Sequence, residues 1–196
     1  MMLKIYLLNF KEVPLDILLN SPYISLLEKS SFSKYKNEAV KKEKIASAIL
    51  KNKYIGSYHL NEFGKPVSDV THFNISHSEG YIALVIDTVP VGIDIEKIRF
   101  VEDELKEYIS NKDEQEYIHN DKTFFEVWTN KESLVKARGS GLTNKLDTIP
   151  GLPINGTRNY QGQTYRSRTL IEDGLIITVT RISEEEFSFD IIKEVI

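Results

Sequence analysis

The chain has 196 residues, of which 41% are hydrophobic and 28% charged, and its formal net charge is −4. These values are typical of a globular protein that buries a core, either as one domain or as two small ones. The absence of cysteine excludes disulfide scaffolds, thiolate metal sites and thiol nucleophiles.

Partners and location follow from the same inventory. The mild acidity argues against a nucleic-acid partner. No apolar run approaches the ~18 residues of a membrane span, and the N-terminus lacks the features of a signal peptide. We therefore expect a cytoplasmic protein with no membrane contact.

Hydrophobic periodicity and Gly or Pro breakers divide the chain into strands and helices. In chain order, the predicted elements are a strand at 3–10, a helix at 36–55 ended by Gly56, a loop at 62–69, strands at 81–86 and 91–96 joined as a buried hairpin by the turn 87–90, one acidic helix or a pair over 102–119, a helix at 123–138 ended by Gly139 and Gly141, and strands at 175–180 and 187–196. Each half thus consists of strands around one long helix. The predicted class is α+β, with a hint of duplication.

Charge is unevenly distributed along the chain. Residues 28–53 carry a surplus of lysines, and residues 102–116 a surplus of acids. Such blocks are usually solvated helix faces, but the lysine-rich block is also suited to an anionic ligand or partner.

Two carboxylates stand out on the predicted strand 91–96. Because strand side chains alternate between faces, Asp94 and Glu96 share one face with Gly92. One interpretation is a solvent-facing edge strand, where such a pair costs little. The other is a site for a hard cation such as Mg²⁺, which prefers oxygen ligands.

The helix at 123–138 adds a third carboxylate. Glu132 lies four residues after Trp128, inside the apolar sector of the helix, and Lys136 follows one turn later. A buried glutamate is costly unless it is paired or ligated. An internal Glu132–Lys136 ion pair is one explanation; the alternative makes Glu132 a metal ligand and Lys136 a phosphate contact.

Three sequence blocks carry a resemblance. "FNISHS" (73–78), "GIDIEK" (92–97) and "WTNKESLVKARGSGL" (128–142) resemble, in this order, the signature blocks of the 4′-phosphopantetheinyl transferases. The length and the two-half layout are similar to the surfactin-synthetase-activating type of that family. The resemblance runs from "FGKP" (63–66) to "GSGL" (139–142) and gives residues 143–196 no motif.

This resemblance implies a fold and an activity. The fold is a pseudo-dimer of two similar halves, 1–92 on the coenzyme A phosphate side and 93–196 with the metal carboxylates and the signature helix, each with a small, mainly antiparallel sheet packed against a long helix. The activity is transfer of the 4′-phosphopantetheine arm of coenzyme A to a serine of an apo acyl or peptidyl carrier protein, with Mg²⁺ as cofactor and 3′,5′-ADP as product. Because both halves lie in one chain, a monomer is expected.

The resemblance also implies roles for individual residues. The magnesium ligands correspond to Asp94, Glu96 and Glu132. Lys136 contacts the phosphate or protonates the leaving group. The remaining coenzyme A contacts, which include the cations for its 3′-phosphate, are Ser76, His77, Lys65 and Lys42.

The general base is left open among three candidates. The family has a glutamate after a Phe-Ser or Phe-Thr pair, whereas this chain has Ile109-Ser110 at that place. Glu114 and Asp113 both fit within a one-residue shift, and Glu114 is preferred because glutamate is the usual type. A metal-bound water is the third candidate.

Two other classes of protein are compatible with the same residues. One is a metal-dependent phosphoesterase or nuclease, against which the lack of a broad basic surface speaks. The other is a non-catalytic module that binds coenzyme A or a carrier protein. The sequence does not indicate which carrier protein or pathway is served, nor whether acyl-coenzyme A is accepted.

Overall fold

The computed structural model describes residues 2–62, 64–141 and 145–196. Phe63 of the "FGKP" motif and Leu142 of the "GSGL" motif lie outside the described residues.

The described chain contains helices and strands in alternating groups. The strands are β1 Met2–Asn9, β2 His59–Leu60, β3 Pro66–Val67, β4 His72–Ser78, β5 Tyr81–Asp87, β6 Val91–Lys97, β7 Gly156–Tyr160, β8 Gln163–Glu172, β9 Leu175–Arg181 and β10 Ser188–Glu194. The helices are α1 Leu15–Leu19, α2 Leu26–Ser31, α3 Glu38–Tyr54, α4 Asp103–Ile109, α5 Lys112–Tyr117 and α6 Asp121–Arg138. The expected long helices, the acidic helix pair and the strands at both ends of the sequence are confirmed.

The strands form two four-stranded sheets and one two-stranded ribbon. The first sheet has the order β10-β1-β5-β4, the second β6-β9-β8-β7, and β2 pairs with β3. Among the described residues, all pairings are antiparallel except that of β1 with β10. The predicted α+β class with mainly antiparallel sheets is confirmed.

The predicted hairpin of β5 and β6 is wrong. β5 pairs with β4 and β1 in the first sheet, whereas β6 pairs with β9 in the second. The link between the two strands favours their separation, because the Asp87 carboxylate accepts the N–H of Thr88 (2.6 Å). The same carboxylate forms an ion pair with Arg181 of β9. β5 instead forms a hairpin with β4, where Glu79 and Gly80 both adopt positive φ, as a two-residue type I′ turn requires.

The C-terminal quarter of the chain differs most from the expectation. β7 and β8 are absent from the predicted elements because polar residues interrupt their hydrophobic pattern. β10 comes last in the sequence but belongs to the first sheet, where it pairs in parallel with β1. The expected division between residues 92 and 93 falls inside β6, and it stays a prediction.

Each sheet packs against one long helix. Ile45 and Ile49 of α3 share an apolar core with Ile82 and Leu84 of β5. A second core is formed by residues of both sheets, among them Ile5 of β1. In the part of the chain that the structure describes, no helix combines the length and the apolarity needed to cross a membrane.

Helix α6 packs directly against β6, and this close approach depends on Gly92. A Cβ atom at Gly92 would lie 2.0 Å from the backbone oxygen of Ser133, so only glycine permits this approach. The helix begins after Asn120, whose side chain accepts the N–H of Thr123, and ends at Gly139 with φ +78°. The close approach presents Asp94 and Glu96, on the same strand face as Gly92, to the last turns of α6.

Candidate active site

Asp94 is the most deeply buried of the three predicted metal ligands. It is 4% exposed, and its Oδ1 accepts hydrogen bonds from the Ser76 hydroxyl (2.9 Å) and from Lys136 Nζ (2.6 Å). Its Oδ2 is buried and has no hydrogen-bond partner among the described residues. Burial raises the pKa of Asp94, and Lys136 opposes that rise. An edge strand facing solvent is therefore not the explanation for this carboxylate.

Glu132 lies on α6, one turn before Lys136. It is 9% exposed, and its carboxylate has no hydrogen bond or ion pair within the described ranges. Burial, followed by repulsion from Asp94 and Glu96, raises its pKa to about 7, although Lys136 acts in the opposite direction. The internal Glu132–Lys136 ion pair is not formed, because Lys136 pairs with Asp94 instead.

Glu96 is held by two donors at one of its oxygens. Its Oε2 accepts the Ser78 hydroxyl (2.8 Å) and Arg99 Nη1 (2.9 Å). Glu96 shares a strand face with Asp94, and its charge adds to the rise in the pKa of Glu132 that burial and Asp94 cause. Asp94, Glu96 and Glu132 therefore form one electrostatically coupled group where β6 meets α6.

These carboxylates fit a hard cation, although they are not preformed around one. Among the described residues, no three His, Asp or Glu side chains already converge as a cation site. Lys136 and Arg99 neutralise two of the three carboxylates in this state. The buried, unpartnered oxygen of Asp94 and the unpaired Glu132 are what a divalent cation would satisfy.

Lys65 and Lys136 lie on a cavity beside the carboxylates. A cavity of about 300 Å³ is lined by Lys65, Asn74, Glu132 and Lys136. Lys65 Nζ donates to the backbone oxygen of Lys136 (2.6 Å), and burial lowers the pKa of Lys65. Lys136 uses two of its three N–H donors, on Asp94 and on Ser76 (3.0 Å), so one remains for a ligand.

Lys42 and His77 lie on the other side of β4, against α3. Lys42 lines a cavity of about 540 Å³ together with Phe10, Lys11 and Gly80. Its ammonium is 3.5 Å from Glu38. His77 Nδ1 is 3.2 Å from Glu43 of the same helix. The predicted coenzyme A contacts thus divide into two groups: Lys65, Ser76 and Lys136 near the carboxylates, and Lys42 and His77 near α3.

Glu114, the preferred general base, lies in a different environment. It is 1% exposed, and its Oε2 accepts Lys131 Nζ (2.6 Å) and the N–H of Asn111 (2.9 Å). Its Oε1 accepts the N–H of Gly151 (2.7 Å). A carboxylate with this set of partners stabilises the fold; its role as a base stays a prediction. Asp113, the alternative, is exposed on the same helix.

Two contacts of the site were not among the sequence-predicted residues. Ser78 and Arg99 both bind Glu96, and neither was a candidate. A signal for Ser78 was present, since Asn74, Ser76 and Ser78 alternate along one strand face. Nothing local marked Arg99, which reaches the site from beyond the end of β6.

Comparison with known proteins adds an independent finding. Residues 90–180 match the family model described as the 4′-phosphopantetheinyl transferase superfamily. The chain is similar to 4′-phosphopantetheinyl transferase gsp of Aneurinibacillus migulanus, with 39% identity over 92 residues, which are 43% of this chain and 39% of that protein. It is also similar to 4′-phosphopantetheinyl transferase Sfp of Bacillus subtilis (strain 168), with 36% identity over 101 residues, which are 47% of this chain and 45% of that protein.

A more distant relative gives the same indication. The putative 4′-phosphopantetheinyl transferase of Haemophilus influenzae is 32% identical over 112 residues, which are 50% of this chain and 47% of that protein. The chain thus spans less than half the length of each of these three relatives. The matched family segment contains all three carboxylates and Lys136.

Proposed function

Because residues 90–180 match the family model of the 4′-phosphopantetheinyl transferase superfamily, we propose that this chain transfers the 4′-phosphopantetheine arm of coenzyme A to a serine of an apo acyl or peptidyl carrier protein. The observation that carries the proposal is the group of the buried Asp94 and Glu132 and the partly buried Glu96 beside Lys136, inside the matched segment. Carboxylates with unsatisfied oxygens next to a lysine are suited to a reaction on a metal-bound pyrophosphate.

Mg²⁺ is the proposed cofactor, and Asp94, Glu96 and Glu132 are its proposed ligands. Mg²⁺ binds a few carboxylates and keeps other positions for water and substrate phosphates. When bound, it would neutralise the pyrophosphate and stabilise the charge that develops in the transition state. Its positive charge would also lower the pKa of Glu132, because it offsets the repulsion from the two neighbouring carboxylates.

The lysines supply the remaining positive charge. The free N–H of Lys136 is available to the pyrophosphate or to the oxygen that leaves with 3′,5′-ADP. Lys65 borders the same cavity. The Ser76 hydroxyl donates to Asp94 and accepts a hydrogen bond from Lys136. We assign Lys42 and His77, on the α3 side, to the 3′-phosphate end of coenzyme A.

The proposed reaction is a displacement at phosphorus. The carrier serine oxygen forms a bond to the β-phosphorus of coenzyme A, and the bond from that phosphorus to the bridging oxygen breaks. The electron pair leaves with 3′,5′-ADP, and the serine proton passes to a base. We retain Asp113 as a base candidate beside Glu114, because Asp113 is exposed whereas the oxygens of Glu114 are held by Lys131, Asn111 and Gly151.

A pseudo-dimeric arrangement within one chain is part of the proposal. Each four-stranded sheet has its own long helix, α3 or α6, and the candidate residues lie where the two units meet. We therefore propose that a monomer is active. Light scattering of the active protein should give the mass of one chain, and an obligate trimer would contradict this arrangement.

One experiment tests the activity directly. The protein is incubated with coenzyme A, Mg²⁺ and several apo carrier proteins, and each carrier is weighed by mass spectrometry. We expect a phosphopantetheine-sized mass gain on at least one carrier, and none when its acceptor serine is replaced by alanine. Breakdown of coenzyme A without carrier modification would instead indicate a phosphoesterase, and binding without either change would indicate a non-catalytic module.

A further inference from the structure

Strands β4 and β6 meet along a seam of side-chain hydrogen bonds. Asn74 Oδ1 accepts the N–H of Ile93 (3.0 Å), and the hydroxyl of Ser76 accepts that of Ile95 (3.3 Å). The hydroxyl of Ser78 accepts the N–H of Lys97 (3.1 Å). The two strands belong to different sheets, so these three side chains take the place of a backbone ladder.

Two of the three seam residues also hold a proposed metal ligand. Ser76 donates its hydroxyl proton to Asp94 Oδ1, and Ser78 donates to Glu96 Oε2. Each serine thus fixes a carboxylate relative to the strand backbone that carries it. Asn74 makes the same kind of backbone contact but has no hydrogen bond to a carboxylate among the described residues.

The two carboxylates are held in the same way. In each, one oxygen is occupied by a serine of β4 and a cation: Ser76 and Lys136 on Asp94 Oδ1, and Ser78 and Arg99 on Glu96 Oε2. The other oxygen of each carboxylate, Asp94 Oδ2 or Glu96 Oε1, has no protein partner within the described residues. The pattern therefore separates an oxygen bound to protein from an oxygen left for a ligand.

We propose that Ser78 and Ser76 are positioning residues that select which oxygen of Glu96 and of Asp94 faces the cation. The inference rests on the proposed function, since it concerns the same site, and it assigns Asp94 Oδ2 and Glu96 Oε1 as the ligating atoms. It also gives β4 a part in metal binding through these two serines, although β4 carries none of the ligands. Hydrogen bonds to a ligating carboxylate orient it and tune its affinity for the metal.

The test measures binding of Mn²⁺ alone to the whole protein, by electron paramagnetic resonance and without coenzyme A. Ser78→Ala should weaken Mn²⁺ binding by about 10- to 100-fold, the range for loss of such a supporting contact. Ser78→Thr should restore most of the affinity, because it keeps the hydroxyl. Ser76→Ala should act in the same direction as Ser78→Ala.

Asn74→Ala is the matched control for the seam. It removes one hydrogen bond between β4 and β6 without removing a donor to a carboxylate, so it should lower the melting temperature while Mn²⁺ affinity stays within about twofold of wild type. Should Ser78→Ala fail to fold, Ser78→Cys replaces it, because a thiol is a weak donor of similar shape.

Three outcomes overturn the inference: wild type that does not bind Mn²⁺, unchanged affinity in Ser78→Ala, or an equal loss in Asn74→Ala, which would make the seam merely structural. The carrier-modification assay on wild type keeps the two proposals apart. An active wild type with unchanged Mn²⁺ affinity in Ser78→Ala refutes only the positioning role. A wild type that modifies no carrier refutes the proposed function, whatever its affinity for Mn²⁺.

Discussion

Two lysines of helix α6, five positions apart, form different kinds of cluster with carboxylates. Lys131 is fully buried and pairs with Glu114, whereas Lys136 lies at the edge of a cavity and pairs with Asp94. Their sequence context is similar, since both lie within the block "WTNKESLVKARGSGL" (128–142). Their surroundings differ in how completely the polar groups are satisfied.

The Lys131 cluster is closed. All three N–H donors of Lys131 have partners: Glu114, the backbone oxygen of Ile109 (2.8 Å) and that of Leu146 (2.9 Å). Both oxygens of Glu114 are also occupied. A buried ion pair with every hydrogen bond made holds α5 and the segment before β7 against α6, and it leaves no atom for a ligand.

The Lys136 cluster is open. Asp94 has a buried oxygen without a partner, Glu132 has no partner within the described chain, and Lys136 retains one donor. Unsatisfied buried groups are costly, and a protein retains them where a ligand completes them. The two clusters therefore differ in how completely their hydrogen bonds are made, and the proposed function assigns a ligand to the incompletely bonded Lys136 cluster.

The largest expected effect on stability comes from breaking the closed cluster. Lys131→Met leaves Glu114 buried without its cation, so the free energy of unfolding should fall by about 3–5 kcal/mol. Urea unfolding measures the change. The matched control is Lys122→Met on the same helix, where the half-exposed pair with Glu126 contributes about 1 kcal/mol or less. Similar losses in the two variants would contradict the closed-cluster account.

A second effect follows from the pKa of Glu132 in the open cluster. Burial, followed by repulsion from Asp94, raises the pKa of Glu132 to about 7, above the ordinary value of a glutamate, so the folded state keeps a proton that the unfolded state releases. Stability of the metal-free protein should therefore fall as pH rises from about 4.5 to about 7, by up to about 3 kcal/mol from this group, and level off above.

Glu132→Gln should remove that part of the pH dependence. Urea unfolding in the presence of a chelator, at several pH values, compares the variant with wild type. The raised pKa of Asp94 remains in both proteins and contributes with the same sign. Identical pH profiles for wild type and Glu132→Gln would show that Glu132 is not held protonated by its surroundings.

A smaller effect is expected at Lys42, and it tests whether coenzyme A binding extends from the open cluster to the α3 side. Lys42→Ala should weaken coenzyme A binding by about 10- to 150-fold, the value of a lost charge-assisted hydrogen bond of about 1.5–3 kcal/mol. The loss should be absent for 3′-dephospho-coenzyme A. Lys36→Ala, an exposed lysine just before the same helix, serves as the control. Equal losses for both forms of the coenzyme would reject the 3′-phosphate contact.

The smallest effect is expected at His77. Its ring is about half exposed and contacts Glu43, so it offers a phosphate one hydrogen bond of ordinary strength. His77→Ala should weaken coenzyme A binding by about 2- to 10-fold, measured by titration calorimetry. A loss larger than that of Lys42→Ala would place the phosphate nearer to β4 than the present assignment does.

Much of the fold was predictable because its elements carry strong local signals. The 3.6-residue period and Gly139 mark α6, and Gly56 marks the end of α3. The pairing of strands was less predictable. The sequence predicts a hairpin of β5 and β6. In the structure, Asp87 pairs with Arg181, a residue distant in sequence, and the two strands lie in different sheets. β10 joins β1 across nearly the whole chain, and no local pattern encodes that contact.

The candidate site shows the same division between local and distant information. The alternation along β6 and the position of Glu132 on α6 were sufficient to nominate the three carboxylates. From the sequence alone, both residues qualified for the site, Glu114 as the preferred base and Glu132 as a metal ligand, because the sequence does not show which hydrogen-bond partners the folded chain brings to each carboxylate. Only the backbone N–H groups of Asn111 and Gly151, brought together by folding, show that Glu114 is fully occupied.

The most direct test applies the same chemical change to both clusters. Glu132→Gln and Glu114→Gln each replace a buried carboxylate by a nearly isosteric neutral amide, and transfer to a carrier protein is measured per folded molecule, below the melting temperature of each variant. Glu132→Gln should melt no earlier than wild type and lose transfer by about a hundredfold or more. Glu114→Gln should melt earlier, because Lys131 stays buried without its counter-charge, and keep near-normal transfer. The reverse pattern, an unstable but active Glu132→Gln beside a stable but inactive Glu114→Gln, would contradict the account and return the catalytic role to Glu114.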